Sequence, residues 1–127
     1  MAKQQIRTGG AATPVGAYSQ GIRAGDFVFV AGQGPLDPAT GQIVGETIEE
    51  QTARTLENVQ AILEAAGATM AGVVKSTVHL ADLSLFGRFN EVYASYFPDP
   101  KPVRTTVGSA LLGIMVEIDV VAYVGGS

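Results

Sequence analysis

The sequence has no cysteine and no tryptophan, a single histidine, and charged side chains at only 16% of its 127 positions. Without cysteine there is no disulfide, no thiolate nucleophile and no sulfur-ligated metal, so the fold stands on its apolar core alone. The lone His79 has neither a cysteine nor a second imidazole to complete a metal site or a histidine-based triad. Cations are sparse as well: eight Lys and Arg stand against twelve Asp and Glu, for a net charge of −4. That balance argues against a general polyanion-binding surface. The uncharged run from Thr105 to Val116 carries glycine and polar residues and falls well short of the ~20 apolar residues that cross a bilayer. The opening residues, Met-Ala-Lys-Gln-Gln-Ile-Arg, lead into Thr, Gly and Ala rather than an apolar stretch, so no secretory signal is read there. The expected location is the cytoplasm.

What is present is 46% hydrophobic residues, enough for a real core in one domain spanning residues 1–127. Residues 1–16, rich in Gly, Ala, Thr and Pro, read as an arm, with order expected from about Ala17. Ala17 to Arg23 and Phe27 to Ala31, separated by Ala-Gly-Asp, predict a hairpin. The turn formers Pro35, Asp37, Pro38, Thr40 and Gly41 predict a loop. Thr47-Ile48-Glu49-Glu50 has capping-box spacing. Ile48, Thr52, Leu56, Val59, Leu63 and Ala66 then recur at helical steps, with Gly67 placed to end the helix.

From Val73 to Leu80 the period changes to two, which predicts a strand with Val74, Ser76, Val78 and Leu80 on one face. Asp82 or Ser84 can cap a second helix whose Phe86, Phe89, Tyr93 and Phe97 share a side before Pro98 forbids continuation. Val103 to Val107 and Met115 to Val124 read as strands, the latter with Val116, Ile118, Val120, Ala122 and Val124 on one face and Met115, Glu117, Asp119 and Tyr123 on the other. Strands near both ends with two helices between them predict an α/β (α+β) fold, a mixed sheet covered on one face by helices.

Arg104 follows a stiff Pro-x-Pro lead-in and lies within a predicted strand. Its guanidinium can hold a carboxylate with two parallel hydrogen bonds, or it can serve as an edge-strand cation paired with an acid. Glu117 interrupts an otherwise apolar strand, where desolvation can fit a carboxyl for proton handling; alternation equally allows a solvent-facing or ion-paired group. His79 falls on the polar face of its strand and reads as structural. Gly32-Gln33-Gly34-Pro35 lacks the spacing and the Lys-Ser/Thr pair of a phosphate loop. Tyr18 and Asn90 read locally as a strand tyrosine and a helix-surface amide.

From Thr13 to Val124 several stretches occur together in a specific order. They are Pro14-x-Gly16-x-Tyr18-Ser19-Gln20, Val28-Phe29-x-x-Gly32-Gln33 with Pro38-x-Thr40-Gly41, and Gln51 and Asn58 before Ala65-Ala66-Gly67. Then come Val73-Val74-Lys75-x-Thr77-Val78, Phe89-Asn90-x-Val92-Tyr93, and Pro102-x-Arg104 followed by Val116-Glu117-Ile118. In this the chain resembles the reactive intermediate deaminase (RidA/YjgF) family. The resemblance implies a chorismate-mutase-like fold, a homotrimer with sites between subunits, and cofactor-free, metal-free hydrolysis of small imines and enamines such as 2-aminoacrylate to 2-keto acids and ammonia. It places the carboxylate-binding role on Arg104, the acid/base role on Glu117, and substrate contacts on Tyr18, Asn90, Thr106, Ala31 and Gly32. Ala31 stands where many members have Ser, Thr106 where some have Cys, and Leu111-Leu112-Gly113 forms a shorter loop without the usual Pro. A regulatory binder of small carboxylates and an endoribonuclease are the two competing functions.

Overall fold

The computed structural model describes residues 2–125. Thr47 and Glu50 form the reciprocal cap their spacing predicts. The Thr47 hydroxyl accepts from the Glu50 N–H at 3.1 Å, and the Glu50 carboxylate accepts from the Thr47 N–H at 3.2 Å. Two otherwise orphaned helix donors are thereby satisfied, and α1 runs Ile48–Ala65. All six stripe positions from Ile48 to Ala66 are buried, and Gly67, at φ 79°, turns the chain out as only glycine does without strain.

Six strands form one sheet in the order β1-β2-β3-β6-β4-β5. They are β1 (Gln4–Ile6), β2 (Gly21–Ala24), β3 (Phe27–Gln33), β4 (Val73–Leu80), β5 (Val103–Gly108) and β6 (Val116–Tyr123). Every neighbouring pair is antiparallel except β4 with β5, which α2 (Phe86–Tyr96) connects as a parallel crossover. Both helices lie on one face: α1 packs on β3 and β6 and against α2. Beneath them Leu56, Val59, Leu63, Val28, Val78, Ile118 and Phe89 have no exposure. Each such side chain contributes on the order of 1.5–3 kcal/mol by leaving water. The predicted aromatic side of α2 is a ladder, with ring centroids 6.2 Å apart from Phe86 to Phe89, 5.4 Å from Phe89 to Tyr93 and 4.6 Å from Tyr93 to Phe97. No helix among the described residues is long and apolar enough to cross a membrane.

The opposite face carries no helix and exposes several large apolar side chains. Phe27, Phe29, Tyr123 and Val103 are exposed by 41%, 46%, 47% and 66% there.

Four expectations are corrected. Order does not wait for Ala17: Gln4–Ile6 pairs with β2, Ile6 and Ala11 are buried, and Gln20 ties the segment down. The Gln20 amide donates to the carbonyls of Thr8, Ala11 and Ala12, and its carbonyl accepts from the Thr8 N–H at 2.8 Å. A three-residue strand held by a distant amide has too few positions to show periodicity. β2 begins at Gly21, and Tyr18 lies in the irregular segment before it, not in a strand. In β4 a register shift near Val73 turns Val73 inward and leaves Val74 exposed, while Ser76, Val78 and Leu80 keep the predicted face. Asp82 does cap, accepting from the Ser84 N–H at 2.9 Å, but the capped turn is the short 3-10 helix Leu83–Leu85, with α2 following it.

Candidate active site

The residues singled out by sequence fall into two clusters on opposite faces of the sheet. Arg104, in edge strand β5, is opposite buried Ser76 of β4, so its side chain leaves toward the helices. There the guanidinium carbon lies 4.7 Å from the Tyr93 ring centre, 5.2 Å from Phe86 and 5.9 Å from Phe89. Its Nη1 donates to the Asn90 Oδ1 at 2.7 Å. Three aromatic faces and one amide thus fix the plane of the fork, a combination suited to arginine's flat, weakly hydrated cation. Arg104 has no carboxylate partner among the described residues, which removes the edge-strand ion pair as its explanation. Asn90 is no free surface amide: it orients Arg104. Thr106 follows two residues along the same strand face, and its buried Oγ1 has no hydrogen-bond partner among the described residues. The cluster therefore offers unused guanidinium donors beside an unsatisfied hydroxyl. The Tyr93 hydroxyl behind it donates to the Ser76 Oγ at 3.0 Å, and burial pushes its pKa up.

Glu117 sits on the other face. In β6 its neighbours Val116 and Ile118 are buried under the helices, so the carboxylate projects from the helix-free side, opposite His79 of β4. It lies over Gly32, where a Cβ would overlap its oxygen. A cleft of about 740 Å³ opens here, lined by Tyr18, Gly32, His79, Ser109 and Glu117, with apolar walls that include Ile43 and Leu111. Ala31 precedes Gly32 in the chain but does not line the cleft. The Ala31 N–H donates to the Gln20 carbonyl at 2.9 Å and its carbonyl accepts from Gln33, which leaves its methyl as what it can offer a ligand. On the same face burial raises the pKa of Asp119, with His79 and Lys75 opposing the shift.

The short loop between β5 and β6 is pinned at both ends. Ser109 N–H donates to Leu80 at 3.0 Å, and Met115 N–H donates to the Gln51 side chain at 2.9 Å while its carbonyl accepts from Ala81. The Gln51 amide in turn donates to the Gly45 carbonyl, and the Asn58 amide holds the carbonyls of Gly34 and Leu36. These two buried amides of α1 support the cleft's loops. Their burial among apolar helical positions is visible in sequence, whereas their partners 6 to 64 residues away are not. The His79–Ser109 pair, with Nδ1 and Oγ 2.7 Å apart, is a further feature the sequence does not disclose.

The chain thus joins Arg104 to Asn90 and Thr106, and Glu117 to Gly32, Tyr18 and His79, but does not bring the two groups together. Residues 8–124 match the family model described as Endoribonuclease L-PSP. A RutC family protein of Pyrococcus abyssi is 50% identical over 125 residues, covering 97% of this chain and 98% of that one. A chloroplastic Reactive Intermediate Deaminase A of Arabidopsis thaliana is 43% identical over 118 residues, covering 93% of this chain and 63% of the plant protein. A solved structure from Thermotoga maritima superposes with a TM-score of 0.92 at 44% identity, over 97% of this chain and 98% of that one. Such an overlap carries the chorismate-mutase-like α+β architecture with it. The chain belongs to the reactive intermediate deaminase (RidA/YjgF) family, whose members share the L-PSP fold.

Proposed function

We propose that this chain hydrolyses small 2-imino acids and their enamine tautomers, including 2-aminoacrylate, to 2-keto acids and ammonia at sites shared between copies of a homotrimer. The observation that carries the reading is the Arg104 guanidinium, held flat by three rings and Asn90, unpaired with any acid among the described residues, beside the unsatisfied Thr106 hydroxyl. A fork so fixed suits a planar carboxylate. The carboxylate of a 2-imino acid is one bond from the C=N carbon that water must attack, so clamping it positions the reacting centre. Glu117 then takes a proton from water as the water oxygen bonds to that carbon, and the nitrogen takes a proton from solvent. Protonated Glu117 passes its proton to the amine of the resulting carbinolamine, and as the C–N bond breaks the hydroxyl proton returns to solvent, which releases ammonia and the 2-keto acid with Glu117 restored. One water enters and one ammonia leaves, with no redox change.

Since one chain places Arg104 and Glu117 on opposite sheet faces, the reaction requires a second copy, and the exposed apolar face around Phe27, Phe29 and Tyr123 is where that copy would dock. RNA cleavage, which the family description names, fits less well. The cleft presents Glu117 with Asp119 close by, in a chain of net charge −4, and a polyanion gains most of its affinity from cations. The test is release of 2-keto acid from enzymatically generated 2-aminoacrylate and 2-iminobutanoate with and without the protein. A rate indistinguishable from the uncatalysed one would sink the reading. Shared sites are tested by co-refolding Arg104→Ala with Glu117→Gln: random equal mixing should restore about one quarter of parental sites if each site draws on two neighbouring copies, and none if it draws on one.

A further inference from the structure

His79 and Ser109 stand on the wall of the Glu117 cleft with no part in the chemistry above. His79 is directly opposite Glu117 across β4 and β6, a register that sets their Cβ atoms about 5 Å apart. Ser109, the first residue beyond β5, lies 2.7 Å from the His79 Nδ1 through its Oγ. That bond fixes the ring. Whichever partner donates, the pair still offers the cleft an imidazole Nε2 and unused hydroxyl capacity. Apart from Tyr18 and Glu117, the rest of the wall is largely apolar, with Val15, Leu36, Ile43, Leu111 and Ile114. Polar groups on such a wall lose stabilisation when the cleft closes unless something inside completes their hydrogen bonds.

We infer that the His79–Ser109 pair is a specificity-determining element that favours ligands whose side chain ends in a neutral hydrogen-bonding group, a hydroxyl above all, over alkyl ligands of the same size. The inference rests on reading the cleft as the 2-imino acid site. With the reacting carbon beside Glu117, a hydroxyl three bonds along the side chain falls beneath His79. A second carboxylate there would face Glu117 and Asp119 on the same sheet face and be repelled. An ammonium would pair with Glu117 and displace the base from its task. A hydroxyl can both donate and accept, so it matches the pair in either tautomer.

The experiment is calorimetric titration of the intact protein with 4-hydroxy-2-ketobutyrate, its isostere 2-ketopentanoate and the acidic 2-ketoglutarate, with hydrolysis of 2-iminobutanoate measured on the same samples. The hydroxy acid should bind about tenfold more tightly than the alkyl acid, as one well-made hydrogen bond in a desolvated site allows, and 2-ketoglutarate more weakly than both. In His79→Phe the first two should converge to within about twofold, and Ser109→Ala, a smaller change that guards against misfolding of the first variant, should narrow the gap. Equal affinities in the parent, no binding of either acid, or a preference that survives both variants would overturn the inference. Hydrolysis without the binding preference retains the deaminase reading and removes this one. A preference without hydrolysis does the reverse.

Discussion

Gly32→Ala tests the role of Glu117 without touching Glu117. Gly32 is not among the glycines with positive φ, so its backbone accepts alanine without strain. The new methyl has one obstacle. A Cβ built there overlaps a Glu117 oxygen and sits 3.0 Å from Cδ and 3.2 Å from Cγ. The carboxylate must therefore withdraw by about 1 Å, a displacement that in a catalytic group costs on the order of 100-fold in rate. Folding is affected little, because the obstacle is the end of a flexible side chain facing an open cleft. Alanine also removes conformational freedom from the unfolded chain, worth about 0.4–1 kcal/mol in favour of folding. The expected outcome is a Tm equal to or slightly above the parent's with kcat/KM for 2-iminobutanoate down about 100-fold. Retention of activity within about threefold would show that the position of Glu117 over Gly32 is not what the reaction uses. A marked fall in Tm would show instead that Gly32 is a packing residue.

The remaining predictions separate clamp, proton carrier and scaffold. Arg104→Lys keeps the charge but loses both the fork and its stacking on Phe86 and Tyr93, and kcat/KM should fall about 30- to 1000-fold; activity within threefold in both Arg104→Lys and Arg104→Ala would end the clamp role. Glu117→Gln should bind 2-ketobutyrate nearly as well as the parent while turnover drops ~100- to 10,000-fold, with Asp119→Asn as control; a more damaging Asp119→Asn would transfer the role. The exposed pair of Glu49 and Arg88 links α1 to α2 through two 2.8 Å bonds, and those bonds from Arg88 lower the Glu49 pKa to about 2 from its ordinary 4.5. A depressed carboxylate contributes stability above its unfolded-state pKa and loses it as pH falls through the folded value. The Tm gap between parent and Glu49→Gln should accordingly be present at pH 6 and close as pH approaches 2, a gap that persists at pH 2 being the contrary result.

The elements that sequence foretells are those whose causes are local. The cap at Thr47 needs only Glu50, the stripe of α1 needs only the helical period, and α2 must stop where Pro98 follows. β6 was legible because alternation runs unbroken from Val116 to Ala122. The failures have non-local causes. β1 exists because β2 offers an edge and Gln20 reaches back to Thr8 across 12 positions, while Val74 is outside because β4 slips against β6. No window of either strand contains that information.

The candidate site divides in the same way. The candidate residues stand out one by one: an arginine after Pro-x-Pro and a glutamate among valines and isoleucines are each anomalous where they stand. Their relation was not legible, because it depends on register. Arg104 is opposite Ser76, and Glu117 is opposite His79, three positions along β4. An odd separation on a pleated strand reverses the face, so these two pairings place the side chains on opposite sides of the sheet. Shifting either pairing by one residue would put both on one side and make a one-chain site conceivable. The observed registers forbid it, and the same pleat that buries Val116 and Ile118 under the helices forces Glu117 outward onto the face where Phe29 and Tyr123 stand uncovered. A clamp and a proton carrier so divided act on one small molecule only if a second chain closes over that face.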